Sequence, residues 1–281
     1  MKKSKILKAS LLTVALGLSL FTSGCKLSSL SNNNAKEYII NNESTEEVDF
    51  YTLTNKITTE TMLAHVRIEG SFYQKSRMSY QLAASSIGSG VIIEEVKDLG
   101  HTTYYCLTNN HVIYNDYSYA TYVVEDCYEN EFKAEVLYSS NEYDLALLKF
   151  ELDDSYDELN VIELSDDDIS SGEYVASLGE ANGKSNSLTY GITQGYEKFE
   201  PIKGAEEESN VTFDVIKHSA FIESGSSGGS LLNTNLELVG INFASQSDSD
   251  GNWKISYAIP VSKIKEFISI CENNSSFIFN N

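Results

Sequence analysis

The chain has 281 residues, of which 41% are hydrophobic and 22% are charged. This composition excludes a disordered chain and supplies apolar material for one large domain or two small ones. The 41 acidic and 20 basic residues give a formal net charge of −21 at pH 7, which repels nucleic-acid phosphates, so we expect no nucleic-acid partner.

The N-terminal residues have the pattern of an export signal. Four lysines lie within the first eight residues, a short apolar stretch follows over residues 11–21, and two small residues precede Cys25. The apolar stretch is shorter than the roughly 20 residues that span a bilayer, but it fits a secretory signal. The pattern therefore predicts a signal peptide over residues 1–24.

Cys25 and the small residues before it resemble the lipobox of bacterial lipoproteins, in which signal cleavage leaves the cysteine lipid-modified at the new N-terminus. Thr22 departs from that pattern, since the lipobox usually has Leu there, and a plain secretory signal is the alternative. The resemblance implies a membrane attachment through a lipid anchor such as palmitate on Cys25, on the extracytoplasmic side of the cell membrane. Residues 25–48, rich in Ser and Asn, would then include a flexible tether.

From about residue 50 onward the sequence has the pattern of β-structure. Apolar residues at 132, 134, 136 and 138 alternate with charged ones, as in a half-buried strand. Short apolar runs of strand length occur at 91–93, 121–124, 145–148 and 238–241. Gly, Asn, Asp and Ser clusters separate these runs. The pattern predicts an all-β sandwich or barrel within residues 49–281.

The C-terminal segment has a different period. Apolar residues at 264, 267, 268 and 271 share one face of a helix, which we predict over about 262–272 with Ser262 as its N-cap. Cys271 lies on that face and is expected to be a buried apolar side chain. Whether Cys106 and Cys127 form a disulfide stays open, because the sequence does not establish the required geometry.

Three segments contain the residue types of serine nucleophilic catalysis. They are residues 107–113 with His111, residues 143–148 with Asp144, and residues 225–230 with Ser227. A serine hydroxyl needs a neutral imidazole as base and a carboxylate that orients the imidazole. The glycines around Ser227 allow a tight turn that directs the N–H groups of Gly225 and Ser227 at an oxyanion. The order His, Asp, Ser differs from the order in subtilisins and α/β-hydrolases.

These segments resemble the trypsin-like proteases of the chymotrypsin fold, and among them the bacterial HtrA/Deg branch. Residues 107–112 are similar to the branch's LTNxHV stretch, residues 144–149 to its DLAvLK strand, and residues 238–242 to its LIGIN strand. Further similar segments lie at 86–92, 188–192 and 257–260. The resemblance implies an all-β fold of two six-stranded barrels, over about 60–155 and 160–262, followed by the C-terminal helix.

The resemblance also implies a serine endopeptidase that cleaves exposed or unfolded segments of proteins. His111 would be the general base, Asp144 would orient it, and Ser227 would form the acyl-enzyme. The residue six positions before the nucleophile, Phe221, and its neighbour Ile222 would give the specificity pocket an apolar floor that favours small or medium aliphatic residues. Trimers are common among such proteins, so a homo-oligomer is a further expectation.

Three departures from the branch accompany these similarities. Ser226 stands where Asn or Asp is usual before the nucleophile, residues 179–183 lack the proline of the GxPxG loop, and no PDZ domain follows in this sequence. The alternatives are a pseudoprotease that binds peptides without cleaving them, an esterase on the same scaffold, and a latent enzyme whose oxyanion loop assembles only after a trigger.

Two acidic stretches, at 165–168 and 248–252, raise the question of a metal site. The second has a passing likeness to a calcium loop, but Gln246 and Tyr257 would occupy positions where an EF-hand needs Asp and Glu. A hairpin turn explains it better, and we expect neither a metal nor a cofactor. The other three histidines are treated as ordinary residues: His65, His101 and His218.

Overall fold

The computed structural model describes residues 53–280, apart from residues 55, 58, 182–183, 201–204, 206 and 276. The predicted signal peptide, Cys25 and the tether lie outside the described residues. The described residues belong to one compact unit that spans Val48–Asn281. None of the helices in this part of the chain is long and apolar enough to cross a membrane.

Six antiparallel strands close into a first barrel in the order β1-β2-β3-β6-β5-β4. They are β1 (His65–Ser76), β2 (Ser79–Asp98), β3 (His101–Thr108), β4 (Tyr119–Glu125), β5 (Glu131–Ser140) and β6 (Leu145–Asp153). A short helix, α1 (Thr59–Met62), precedes the barrel, and another, α2 (Asn110–Ile113), follows β3. The barrel closes because β1 pairs with β2 on one side and with β4 on the other.

The second barrel has the strand order β10-β11-β12-β9-β8-β7. Its strands are β7 (Tyr174–Ala181), β8 (Lys184–Lys198), β9 (Asp214–His218), β10 (Ser230–Leu232), β11 (Leu238–Ser247) and β12 (Trp253–Pro260), and the helix α3 (Val261–Asn274) follows. The short strand β10 closes this barrel by pairing with both β11 and β7. The predicted fold of two six-stranded barrels with a C-terminal helix is confirmed.

Apolar side chains fill each barrel and continue between the two. In β1, Val66, Ile68 and Phe72 point inward and are buried, as the two-residue period requires. A separate cluster extends from Leu107 of the first barrel to Ile241 of the second and includes side chains of α3. Because this apolar cluster joins the two barrels, it fixes the positions of the loops that lie where the barrels meet.

Helix α3 confirms the predicted buried face but corrects its N-cap. Cys271 is fully buried on that face. The N-cap residue is Pro260, so Ser262 lies inside the first turn. The N–H of Ser262 donates to Asp168 Oδ1 at 2.9 Å, so a distant carboxylate satisfies the first turn. A side chain 94 positions away is not visible to a local capping pattern.

The three cysteines in the described part of the chain are free thiols. Cys106 is buried in β3, and Cys127 is half-buried in the turn after β4. Burial raises the pKa of the Cys106 thiol to about 12 and that of Cys127 to about 11. A thiol with such a pKa is protonated at neutral pH.

Candidate active site

His111 and Asp144 are brought together by the pairing of β3 with β6. Thr108 at the end of β3 lies opposite Ala146 at the start of β6, so the residues just beyond these positions meet at one end of the barrel. His111 lies on α2, directly after β3, and Asp144 is the last residue before β6. The structure therefore places both predicted residues at the same rim.

Two hydrogen bonds fix the His111–Asp144 pair. Nδ1 of His111 lies 2.8 Å from Oδ2 of Asp144, and the backbone N–H of His111 donates to Oδ1 at 3.0 Å. The Asp144 side chain is fully buried, whereas 26% of the His111 side chain is exposed. Because a carboxylate only accepts, Nδ1 carries a proton and Nε2 is left with the lone pair that can accept another.

Asn109 supports Asp144 from behind, a contact that the sequence analysis did not predict. Asp144 has a φ of +49°, a left-handed conformation that Asp adopts more readily than most residues. The buried amide of Asn109 donates to the Asp144 carbonyl at 2.9 Å. This bond holds the backbone in the conformation that turns the carboxylate toward His111.

A loop of the second barrel reaches α2 next to His111. The side-chain amide of Asn110 donates to the backbone carbonyl of Glu208 at 2.7 Å. Burial lowers the pKa of His111, but the charge and hydrogen bond of Asp144 and the charge of Glu208 outweigh it and raise that pKa above its ordinary value. Glu208 is thus a surface acid that affects the protonation of His111, and nothing local in the sequence indicates this role.

Ser227 lies in the serine loop, which we define as residues 223–229. The N–H of Ser226 donates to the carbonyl of Glu223 at 2.9 Å, and Gly225 in the third position of this turn has a φ of +93°. A type II turn needs such a positive φ at its third position, where glycine fits without strain. The hydroxyl of Ser226 accepts from the Glu223 N–H at 3.3 Å, so the residue that departs from the family pattern closes the turn with its side chain.

The second half of the serine loop is held by β11. The N–H of Gly228 donates to the carbonyl of Asn242 at 2.9 Å, and the N–H of Asn242 donates to the carbonyl of Gly229 at 2.9 Å. The N–H of Gly229 donates to the carbonyl of Ser226 at 3.0 Å. Among the described residues, the N–H groups of Gly225 and Ser227 donate no hydrogen bond to the protein.

Strand β2 of the first barrel docks against the serine loop. The N–H of Ser89 donates to the Ser227 carbonyl at 2.7 Å, and the Ser89 hydroxyl donates to the Gly225 carbonyl at 2.7 Å. A Cβ added to Gly88 would lie 2.6 Å from the Val112 side chain and 3.1 Å from the Ser227 carbonyl. Gly88 therefore lies between Val112, the residue after His111, and the backbone of Ser227, with no room for a side chain. In the described part of the chain no hydrogen bond joins the Ser227 hydroxyl to His111.

Phe221 and Ile222 differ in exposure. The Phe221 side chain is 39% exposed and Ile222 is buried at 5%. The ring of Phe221 packs edge to face against Trp253, with 5.5 Å between the ring centroids. Trp253 was not predicted as part of this site, because it lies 32 residues after Phe221 and no local pattern connects the two.

The acidic stretches have structural roles in the described part of the chain. Asp248 Oδ1 accepts from the N–H groups of Asp250 and Asn252, both at 2.9 Å, within the β11–β12 turn. Asp168 accepts from the first turn of α3. No group of three or more His, Cys, Asp or Glu residues among the described positions could hold a metal ion.

Comparison with known proteins identifies the family. Residues 88–241, more than half of the chain, match the Trypsin-like peptidase domain. The chain belongs to the trypsin-like peptidases.

Three relatives refine the assignment. The chain is 32% identical to "Periplasmic serine endoprotease DegP" of Salmonella typhimurium over 185 residues. The aligned region covers 66% of this chain and 35% of that protein. It is 33% identical over 196 residues to "Serine protease Do-like HtrA" of Bacillus subtilis, covering 69% of this chain and 41% of that one. A solved structure of the HtrA-type protease AlgW, a serine-to-alanine variant with a tripeptide, matches with a TM-score of 0.58 and 29% identity over 77% of this chain and 63% of that chain.

These relatives place the chain in the HtrA/Deg branch of the family. The chain spans less than half the length of the two relatives compared by sequence, with 35% and 41% of their lengths matched.

Proposed function

We propose that this protein is a serine endopeptidase in which His111, Asp144 and Ser227 form the catalytic triad. The observation that carries the proposal is the pairing of His111 with the buried Asp144, whose 2.8 Å bond to Nδ1 leaves Nε2 as a base. His111 takes the proton of the Ser227 hydroxyl as this oxygen attacks the peptide carbonyl. It then protonates the leaving amine, and water hydrolyses the acyl-enzyme by the reverse steps.

The Ser227–His111 hydrogen bond would form when substrate binds. Catalytic hydrogen bonds are often long or poorly aligned without substrate and tighten in the reacting complex. The docking of Ser89 against both Ser227 and Gly225 supports this, because it keeps the serine loop beside α2.

The N–H groups of Gly225 and Ser227 would stabilise the oxyanion. Their neighbours in the loop, Ser226, Gly228 and Gly229, all donate within the protein. Donors already oriented by the fold stabilise a developing charge without reorganisation, which makes such a site effective. The type II turn at Gly225 supports a loop that is assembled at rest rather than latent.

The substrates would be exposed or unfolded segments of proteins outside the cytoplasm, where the DegP relative is a periplasmic serine endoprotease. Phe221 and Ile222, with Trp253 packed on Phe221, would form the apolar side of the specificity pocket and favour small or medium aliphatic residues.

The domain organisation completes the proposal. Residues 1–24 would be a lipoprotein signal peptide, Cys25 the lipidated residue, and residues 25–48 would carry that cysteine and a flexible tether. The protease domain would span residues 49–281 and act on the extracytoplasmic side of the cell membrane, as a homo-oligomer such as a trimer. The acyl chains would supply the attachment, since the net charge of −21 opposes contact with anionic headgroups.

A fluorophosphonate probe tests the proposed nucleophile directly. The full chain, purified in detergent, should be labelled on a single residue, Ser227, because only a serine with a neutral imidazole base and an oxyanion site reacts quickly. Ser227→Ala should abolish labelling and casein hydrolysis, whereas Ser224→Ala in the same loop should retain both. The labelled peptide is identified by mass spectrometry.

Each other outcome of this experiment has a definite meaning. Folded wild-type protein that is neither labelled nor able to cleave casein would contradict the endopeptidase proposal and favour a peptide-binding role. Labelling accompanied by hydrolysis of small esters but not of casein would favour an esterase.

The acid limb of the activity profile should report the His111 pKa. Catalysis needs neutral His111, so activity falls as the pH drops through this raised pKa. Glu208→Gln removes one of the charges that raise the pKa, so the limb should move to lower pH and activity at pH 6 should increase relative to the plateau. Added salt should reduce the difference, because the Glu208 side chain is exposed.

The matched control is Glu207→Gln, the adjacent exposed acid that does not contribute to the His111 shift. The profile of kcat/KM between pH 5 and 8 for Glu207→Gln should coincide with that of the wild type. A Glu208→Gln profile that also coincides would show that Glu208 has no effect on His111.

A further inference from the structure

A second histidine of the first barrel contacts a residue close to Ser227 in the sequence. His65 is the first residue of β1 and is buried, with 5% exposure. Its Nε2 lies 2.6 Å from the hydroxyl of Ser230, and its Nδ1 lies 2.9 Å from the backbone carbonyl of Thr61 in α1. No local motif in the sequence distinguishes His65 from an ordinary histidine.

The two contacts define the state of the His65 ring. A backbone carbonyl only accepts hydrogen bonds, so Nδ1 carries the proton. Nε2 is then the acceptor, and the Ser230 hydroxyl donates to it. Burial lowers the pKa of His65 to about 4 despite the bond to Thr61, which keeps the ring neutral near pH 7.

Ser230 is the anchor point of the serine loop on the second barrel. It is fully buried, begins β10 and lies three residues after Ser227. Its carbonyl accepts from the Asn242 side-chain amide at 2.9 Å, and Asn242 also binds the backbone of the serine loop. The His65–Ser230 bond therefore attaches the residue directly after this loop to β1 of the first barrel.

The first barrel thus contacts residues on both sides of Ser227 in the sequence. Ser89 binds the carbonyls of Gly225 and Ser227, and His65 binds the side chain of Ser230. Both partners in the second contact are buried, so substrate does not reach them. We propose that His65 is a positioning residue, which fixes the Ser227 backbone through its hydrogen bond to Ser230. This inference rests on the proposed function.

Loss of either partner of the His65–Ser230 hydrogen bond should affect both the stability of the protein and the reactivity of Ser227. His65→Leu leaves the buried Ser230 hydroxyl without its acceptor, and Ser230→Ala leaves Nε2 of His65 without its donor. Each variant should therefore lower the melting temperature. Each should also lower the rate of fluorophosphonate labelling by about 10-fold or more, since displacements of about 1 Å at a reacting atom have large effects on rate.

The double variant His65→Leu/Ser230→Ala discriminates between the two roles. Removing both partners leaves neither the Ser230 hydroxyl nor the His65 ring unpaired, and the Thr61 carbonyl still accepts from the Ala64 N–H at 3.3 Å. The melting temperature should therefore recover relative to the single variants. The labelling rate should stay low, because the link to the loop is still missing. His65→Gln, whose amide oxygen can accept from Ser230, should restore much of the rate.

A core variant away from the loop controls for stability alone. Leu152→Ala removes a buried side chain near the end of β6. Leu152 pairs with Thr102, at the opposite end of these strands from His111 and Asp144. It should lower the melting temperature while leaving the labelling rate unchanged well below that temperature. Hydrogen exchange of the 223–232 peptide adds a readout that does not need activity, and exchange should accelerate in His65→Leu but not in Leu152→Ala.

The outcomes separate this inference from the proposed function. If the wild type is labelled and the His65 and Ser230 variants are labelled equally fast, the positioning role is wrong and the protease proposal stands. Recovery of labelling together with stability in the double variant would also overturn the positioning role. If the wild type is not labelled, accelerated exchange in His65→Leu supports the link and unchanged exchange overturns it.

Discussion

Asp144→Asn is expected to lower kcat by roughly 10⁴-fold, the loss that the same substitution of the triad carboxylate causes in a related serine protease. The two hydrogen bonds of Asp144 explain why. Oδ1 accepts from the His111 backbone N–H and Oδ2 from Nδ1 of the ring. A backbone N–H cannot accept, so the asparagine oxygen must face it and the NH₂ group must face Nδ1. His111 then carries its proton on Nε2 and cannot act as a base.

The control for Asp144→Asn is another buried acid in the same barrel. Asp126 is 3% exposed and accepts from the Tyr128 and Asn130 N–H groups through one carboxylate oxygen. Asp126→Asn should lower the melting temperature but leave kcat/KM within about two-fold, since it does not contact His111. Nitrogen-15 NMR of the imidazole should show the reversed tautomer only in Asp144→Asn. Near-normal activity of that variant would overturn the assigned role of Asp144.

Patterns local in sequence were sufficient to predict the fold and to select the candidate residues. Strand periodicity in segments such as Phe132–Tyr138 predicted β-structure, and the flanking motifs resembled a known family whose two barrels the structure confirms. The same motifs selected His111 and Asp144, which lie 33 positions apart and share two hydrogen bonds. Such motifs can be recognised because each one combines a particular backbone conformation, such as the tight turn of the glycines around Ser227, with a chemically active side chain.

Contacts that orient these residues were not predictable, because they join distant positions through ordinary side chains. Asn109 and Asp144 are 35 positions apart, Ser89 and Gly225 are 136 apart, and His65 and Ser230 are 165 apart. No periodicity or local motif connects members of such pairs. Their meeting depends on how the strands pair and how the barrels dock, which only the folded chain defines.

The positioning contacts share a physical feature. They are hydrogen bonds of buried polar groups, and such groups cost free energy unless each is satisfied. A loop held by several of them therefore has few alternative conformations, since every displacement leaves a buried donor or acceptor unpaired. We therefore expect the orientation of Ser227 to depend on these buried groups, and variants of them should reduce the reaction rate before they unfold the protein.

Gly228→Ala is expected to reduce the fluorophosphonate labelling rate of Ser227 by about 100-fold or more. Gly228 has a φ of +85°, and an added Cβ would lie 2.1 Å from the Ser89 carbonyl oxygen and 2.3 Å from Thr108 Oγ1. Neither atom is the end of a long flexible side chain. The serine loop would have to move away from β2, which would break the bond between the Ser89 N–H and the Ser227 carbonyl.

Gly251→Ala is the control that distinguishes the steric clash between residue 228 and β2 from the strain of a left-handed backbone. Gly251 in the β11–β12 turn has a φ of +81°, but an added Cβ would have nothing within 4 Å. Both alanines therefore incur the left-handed penalty of about 1–2 kcal/mol, and only Gly228→Ala meets the first barrel. Melting temperatures and labelling rates of the two variants should show a shared loss of stability and a loss of reactivity confined to Gly228→Ala. Equal labelling rates would mean that the contact between β2 and the serine loop does not position Ser227.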